Sequence, residues 1–284
     1  MHGCGNDYIY IDCLENKIDH PGELAVELSD RHFGVGSDGL VLVLPSSVTD
    51  FKMRIFNPDG SEAECCGSAL RCFAKYVYDN NLLSLSKTDK TQNNKVGIET
   101  LAGIRNVKIN FDRYHREKID SITVNMGSPS FDFVRMNKDI EKMIDYEVSI
   151  GENLYRLTYV SVGNPHVVIF TKDLKQNLAK VNVKKIGQEI ENYSELFPNK
   201  VNVEFVEIID KNHINMRVWE RGAGETLSCG TGTCAVVAAS VINSLCDRKV
   251  TVKSPGGELN IDYKMDDNSL YMTGQAVKVF DGNI

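Results

Sequence analysis

The chain has 284 residues, 42% hydrophobic and 25% charged, with a formal net charge of −7; this is the composition of a globular protein of about two domains. The acidic balance argues against a nucleic-acid partner, and no apolar run approaches the ~18 residues of a membrane span. The opening Met1-His2-Gly3-Cys4-Gly5-Asn6-Asp7 has neither the positive nor the apolar region of a signal peptide, so a cytoplasmic protein is expected.

The predicted elements run as follows. Strand-like segments cover Tyr8 to Cys13, Leu40 to Leu44 and Phe51 to Phe56, with a helix over Glu23 to Ser29 between the first two. A second helix, Ala69 to Tyr78, is rich in Ala and aromatic residues and free of proline. Ser86 to Asn94 is polar and loop-like. Strands follow at Val107 to Phe111, Ile122 to Met126 and Val167 to Phe170, with a turn at Gly127-Ser128-Pro129-Ser130. A helix is predicted over Lys184 to Tyr193, strands over Val201 to Ile209 and Ile214 to Trp219, and a helix over Cys234 to Leu245. Strands at Val250 to Lys253 and Leu259 to Tyr263 close the series. Most strands follow one another without a helix between them, which favours α+β with antiparallel sheet over a doubly wound parallel sheet.

Two strings invite a functional reading that their context denies. Gly34-Val35-Gly36-Ser37-Asp38-Gly39 matches a dinucleotide fingerprint, but a strand rather than a helix follows it, so it reads as a tight turn. The eight cysteines, Cys4, Cys13, Cys65, Cys66, Cys72, Cys229, Cys234 and Cys246, are too sparse for a disulfide framework and contain no Cys-x2-Cys pair; no metal site is expected.

The chain resembles itself. Asn57-Pro58-Asp59-Gly60-Ser61-Glu62-Ala63-Glu64-Cys65-Cys66-Gly67 corresponds to Glu220-Arg221-Gly222-Ala223-Gly224-Glu225-Thr226-Leu227-Ser228-Cys229-Gly230, at an offset of 229 − 66 = 163. Gly5-Asn6-Asp7-Tyr8 and Gly163-Asn164-Pro165-His166 correspond at 164 − 6 = 158. Each unit reads strand, glycine-rich turn, Cys-Gly, helix, which puts Cys66 and Cys229 at or just before a helix N-terminus. There the positive end of the helix dipole and free N–H groups lower a thiol pKa and bind an anion such as a substrate carboxylate. One thiolate and one opposed thiol suit inversion at a stereocentre: one removes the α-proton, the other protonates the opposite face. Two small buried structural cysteines are the plain alternative.

At these residues the sequence resembles the diaminopimelate epimerase family. The match runs through Met1-His2-Gly3-Cys4-Gly5-Asn6-Asp7-Tyr8, Asp30-Arg31-His32, Gly34-Val35-Gly36, Arg54-Ile55-Phe56-Asn57-Pro58-Asp59-Gly60-Ser61-Glu62, Gly163-Asn164-Pro165-His166, Asn202-Val203, Glu220 to Thr226, Cys229-Gly230-Thr231-Gly232, Pro255-Gly256-Gly257 and Tyr271-Met272-Thr273-Gly274. The resemblance implies an α+β fold of two pseudo-symmetric lobes, each a mostly antiparallel sheet wrapped around a central helix. The active site would lie in the cleft between lobes at 1–120 and 121–270, with 271–284 returning to the first lobe. It implies cofactor-independent epimerisation of LL-2,6-diaminopimelate to the meso form, on the lysine and cell-wall pathway, without pyridoxal phosphate or metal, in a homodimer. Catalytic thiols would be Cys66 and Cys229. Substrate contacts would come from Asn6, Asn57, Gly67, Ser68, Asn164, Asn202, Glu220, Arg221, Gly230 and Thr231, with His166 and Glu220 tuning the thiols. Cys65 is expected to point away from the site.

Three departures stand out. The family's usual Cys-Gly-Asn-Gly is Cys66-Gly67-Ser68-Ala69, a glutamine of some members is Gly39, and the sequence begins at the methionine of the first motif, short of the usual first few residues. The Ser68-Ala69 change sustains an alternative, a racemase of another amino acid such as histidine on the same scaffold. A binding protein without catalysis is the reading from a different class, and retention of both cysteines argues against it.

Overall fold

The computed structural model describes residues 1–85, 94–115, 117–133 and 140–283; the loop expected at Ser86 to Asn94 lies outside them apart from Asn94. The chain divides into two units, Met1–Asn125 with Thr273–Ile284, and Met126–Met272. Among the described residues no helix is long and apolar enough to cross a membrane.

The first unit opens with a hairpin, His2–Gly3 paired to Asn6–Asp7. Its two-residue turn places Cys4 at φ 56° and Gly5 at φ 82°, the pair of positive angles whose twist matches that of the flanking strands. The main sheet then runs in spatial order Ile9–Asp12, Leu40–Pro45, Phe51–Phe56, Lys95–Thr100, Gly103–Phe111 and Ile119–Asn125. Ile9–Asp12 lies parallel to Leu40–Pro45, and Phe51–Phe56 parallel to Lys95–Thr100; the other neighbours are antiparallel.

The second unit repeats this plan. Its order is Tyr146–Ile150, Asn153–Ser161, Pro165–Phe170, Asn202–Ile208, His213–Glu220, Lys249–Ser254 and Gly257–Tyr263. Pro165–Phe170 is parallel to Asn202–Ile208, and His213–Glu220 to Lys249–Ser254. The sheets are therefore mixed within a mostly antiparallel plan. Each parallel pair is joined through one α-helix: α1 (Pro21–Ser29), α2 (Gly67–Asp79), α3 (Val183–Glu191) or α4 (Gly230–Ile242). A parallel pair needs a crossover long enough to return the chain to the same end of the sheet, and a helix supplies it.

α2 and α4 are the inner helices. α4 packs on Asn153–Ser161, Pro165–Phe170, Asn202–Ile208 and Gly257–Tyr263, strands from both sides of its sheet, so the sheet curls around it. Nine of its residues, from Gly232 to Ser240, are buried, and this apolar circumference is what a helix enclosed by sheet requires. α2 buries Leu70, Cys72, Phe73, Ala74 and Val77 in the same manner. α1 and α3 cover the opposite sheet faces. Ala25 and Leu28 of α1 meet Leu40, Leu42 and Phe56, while Val41 and Val43 point the other way and are equally buried. That double burial explains the uninterrupted apolar run of this strand. α3 packs so closely on the chain's one tryptophan that a Cβ on Gly187 would lie 2.4 Å from Trp219 Cγ, and Trp219 Nε1 donates to Glu191 Oε2 at 2.8 Å.

Gly34 to Gly39 form a loop ahead of the strand Leu40–Pro45. A side chain at Gly39 is excluded: φ is +150°, and a Cβ would lie 2.3 Å from Phe56 O and 3.0 Å from Tyr8 Cε1.

Candidate active site

Both inner helices begin earlier than helix propensity suggests, at Gly67 and Gly230 rather than Ala69 and Cys234, and the residues preceding them, Cys66 and Cys229, are their N-caps. Gly and Thr are poor in helix interiors, but in the first turn their cost is small and their N–H groups are unused by the helix. The first intrahelical bonds are Leu70 N to Cys66 O at 3.0 Å and Thr233 N to Cys229 O at 2.9 Å. Each helix start thus presents a cysteine sulfur beside N–H groups that a carboxylate satisfies.

In the first unit the hairpin delivers Asn6 to this helix start. Asn6 Nδ2 donates to Ser68 Oγ at 2.9 Å and lies 3.7 Å from Cys66 Sγ, while Ser68 Oγ is 3.1 Å from the same sulfur. Tyr8 Oη is 3.5 Å from Cys66 Sγ, and burial pushes its pKa well up, so the phenol remains a donor. Cys65 faces Arg105 and Thr100, with its pKa raised by burial. Asn57 stands apart from this cluster, in the turn after Phe56, where its Nδ2 donates to Ser61 Oγ at 3.0 Å.

In the second unit Asn164 Nδ2 donates to Thr231 Oγ1 at 3.2 Å, and Thr231 Oγ1 lies 3.4 Å from Cys229 Sγ. Gly232 N–H also points at the sulfur, at 3.4 Å. Behind Asn164 stands His166, fully buried, with Nε2 2.9 Å from Asn164 Oδ1 and Nδ1 2.7 Å from Glu204 Oε1. An amide oxygen only accepts, so Nε2 carries a hydrogen and Asn164 is fixed with its amide nitrogen toward Thr231. Glu204 is the member of this cluster that sequence reasoning missed. It sits in an apolar-looking strand, Asn202–Ile208, at 0% exposure, and its Oε2 has no partner.

Asn202 holds the backbone: its Nδ2 donates to Pro165 O at 2.8 Å and its Oδ1 accepts from Arg221 N at 2.9 Å. Arg221 Nη1 reaches Asn199 O at 3.1 Å. Glu220 accepts from Thr226 Oγ1, and burial is the main cause of its raised pKa.

The electrostatics of Cys229 follow from this surrounding. Burial, then the carboxylates of Glu220 and Glu204, hold its pKa well above that of an ordinary thiol; the hydrogen bonds from Thr231 and Gly232 oppose this and are smaller. At rest Cys229 is a thiol, a proton donor. Among the described residues no three His, Cys, Asp or Glu side chains gather as a metal-binding group.

Comparison with known proteins gives a consistent answer. The family model described as diaminopimelate epimerase matches residues 1–132 and 158–279. The chain is 48% identical to the diaminopimelate epimerase of Acetivibrio thermocellus, over 100% of this chain and 96% of that one. It is 49% identical to that of Methanococcus maripaludis, over 100% and 98%. Among solved structures, a hydroxyproline epimerase from Agrobacterium vitis with bound trans-4-hydroxy-L-proline superimposes with TM-score 0.64 at 15% identity, over 96% of this chain and 86% of that one. A Bacillus anthracis phenazine biosynthesis protein gives 0.62 at 19%, over 96% and 91%. These two likenesses are of fold.

Proposed function

The chain belongs to the diaminopimelate epimerase family, and from that premise we propose how its residues carry the reaction. It is an isomerase that interconverts LL- and meso-2,6-diaminopimelate. Cys66 and Cys229 are the base and the acid, and the observation that carries this assignment is that each caps an inner helix with the same set beside it: an asparagine amide, a hydroxyl and the sulfur.

Epimerisation at an α-carbon requires a base strong enough to remove a weakly acidic hydrogen, stabilisation of the charge passed to the carboxylate, and a proton donor for the other face. The N–H groups of Gly67 and Ser68, and of Gly230 and Thr231, supply the stabilisation, since helix-start donors aimed at a carboxylate strengthen as negative charge builds on it. Cys66 takes the α-hydrogen as thiolate. Cys229, kept as a thiol by its burial and by Glu220 and Glu204, gives the new one. In the reverse direction the two exchange roles. His166 and Glu220 tune Cys229. Asn57, Asn202 and Arg221 serve the ammonium and carboxylate at the far end of the substrate. The protein works in the cytoplasm as a homodimer, in the supply of lysine and cell-wall precursor.

The decisive experiment is proton NMR in deuterated water without added cofactor, following loss of the α-proton signal. LL-diaminopimelate should exchange and L-histidine should not. Exchange of histidine or another single amino acid instead would keep the thiols and replace the substrate. Ser68 is the observation that makes that arm worth running. No exchange with any amino acid would move the protein to a binding role.

A further inference from the structure

The two helix-capping cysteines are served differently. The sulfur of Cys229 accepts from Gly232 N–H of its own helix, whereas the Cys66 side chain makes no such cap bond in α2. Beside Ser68 Oγ at 3.1 Å, the Cys66 sulfur has Tyr8 Oη at 3.5 Å. We propose that Tyr8 is a positioning residue for Cys66, its hydroxyl donating a hydrogen bond that aims the sulfur and favours the thiolate.

Three observations support this. Tyr8 follows Asn6 by two residues as His166 follows Asn164, so the internal repeat puts it where the second unit places its own buried polar group. His166 commits both ring nitrogens, to Glu204 and Asn164, while the phenol of Tyr8 reaches the sulfur directly. The ring also has its space made for it, since any Cβ at Gly39 would lie 3.0 Å from Tyr8 Cε1.

The titratable groups facing Cys66 are Tyr8 and Tyr10 from the start of the chain, Cys72 from α2 and Cys65 beside it. Burial raises all four, Cys72 to about 11. They face the sulfur as neutral groups at neutral pH, and the Tyr8 hydroxyl lies within hydrogen-bond range of it.

The proposal rests on Cys66 being the base, and its test is chosen to read the sulfur independently of turnover. In the full-length protein, alkylation of Cys66 by iodoacetamide is followed across pH by mass spectrometry for the native chain, Tyr8→Phe and Tyr10→Phe. Tyr10 donates its hydroxyl to Ala69 O rather than to this sulfur. Tyr8→Phe should move the Cys66 midpoint up by roughly half to one pH unit, about 3- to 10-fold slower alkylation near neutrality. Its kcat should fall by a similar factor at unchanged KM. Tyr10→Phe should leave the Cys66 midpoint in place. A Cys66 profile unmoved in Tyr8→Phe, or moved equally by Tyr10→Phe, overturns the role of Tyr8. Full turnover by Cys66→Ser would instead remove Cys66 as base, while the alkylation profile still decides the hydrogen bond. If Tyr8→Phe does not fold, 3-fluorotyrosine at position 8, a stronger donor, should lower the midpoint; no change overturns the proposal.

Discussion

Asn6 and Asn164 are structural equivalents. Each follows a glycine at positive φ and gives its side-chain amide to the hydroxyl two residues past a helix-capping cysteine, to Ser68 at 2.9 Å and to Thr231 at 3.2 Å. The hydroxyl is thereby left to donate to sulfur. Ser68, where the family's usual residue is asparagine, makes the two sets more alike. Asn6→Ala and Asn164→Ala should each slow exchange of the substrate α-hydrogen roughly 5-fold, the worth of one neutral hydrogen bond of about 1 kcal/mol. Single-turnover exchange rates in deuterated water check this.

Replacing either helix-capping sulfur by oxygen should be far more severe on the proposed two-thiol mechanism. Serine is a much weaker acid than cysteine at the same position, so Cys66→Ser and Cys229→Ser should each lose at least about 100-fold in turnover. Substrate binding measured by calorimetry should persist in both. An active double variant would refute the assignment.

His166 and Glu204 should behave as one unit. Removing one partner of a fully buried hydrogen-bonded pair strands the other, at a cost of about 1–3 kcal/mol. His166→Leu or Glu204→Leu alone should therefore cost more stability than the double replacement, a strongly non-additive cycle in urea denaturation.

The pH behaviour of Cys229 follows from its raised pKa. Its alkylation should stay slow through neutral pH and rise only above the ordinary thiol range of about 8.5. The sign for folding is fixed likewise: a proton held more tightly in the folded state adds stability below the unfolded pKa, and that contribution is lost as pH rises through the folded value. Stability should decline at alkaline pH, and Cys229→Ala should flatten the decline.

Gly187 and Trp219 offer a test of packing away from the chemistry. Because a Cβ at 187 would lie 2.4 Å from Trp219 Cγ, Gly187→Ala should destabilise the second unit by about 1–3 kcal/mol. The midpoint of the tryptophan fluorescence transition reads it.

Much of this was legible beforehand because it is local. Alternation marked Phe51–Phe56 and the strand at Ile214 to Trp219, and the Cys-Gly repeat marked both helix starts. Parallel pairing was not legible, since it is decided by where a crossover helix returns the chain, not by the strand's own residues. Lys95–Thr100 does not read as a strand because Gly97 and the charged Lys95 and Glu99 interrupt its apolar pattern. The start of α4 was placed four residues late because Gly230, Thr231 and Gly232 read as a turn; their value lies in the donors they expose and in room for Glu204, whose Oε1 would be 2.7 Å from a Cβ at 232. Glu204 is not legible in the sequence because a buried polar group within an apolar strand declares itself only when its partner, His166, distant in sequence, is brought to it.

The grouping of Thr273–Ile284 with the first 125 residues sets an order of assembly. His2 and Val277 exchange backbone hydrogen bonds at 2.9 Å, and Arg71 Nε donates to Gln275 O. On the ribosome, residues 126–272 are made as one uninterrupted stretch, whereas the unit that holds residues 1–125 also needs residues 273–284, which are made after that stretch. The stretch 126–272 is thus free to fold ahead of the other unit, and a released chain ending at residue 272 would carry every residue of the second unit but not of the first.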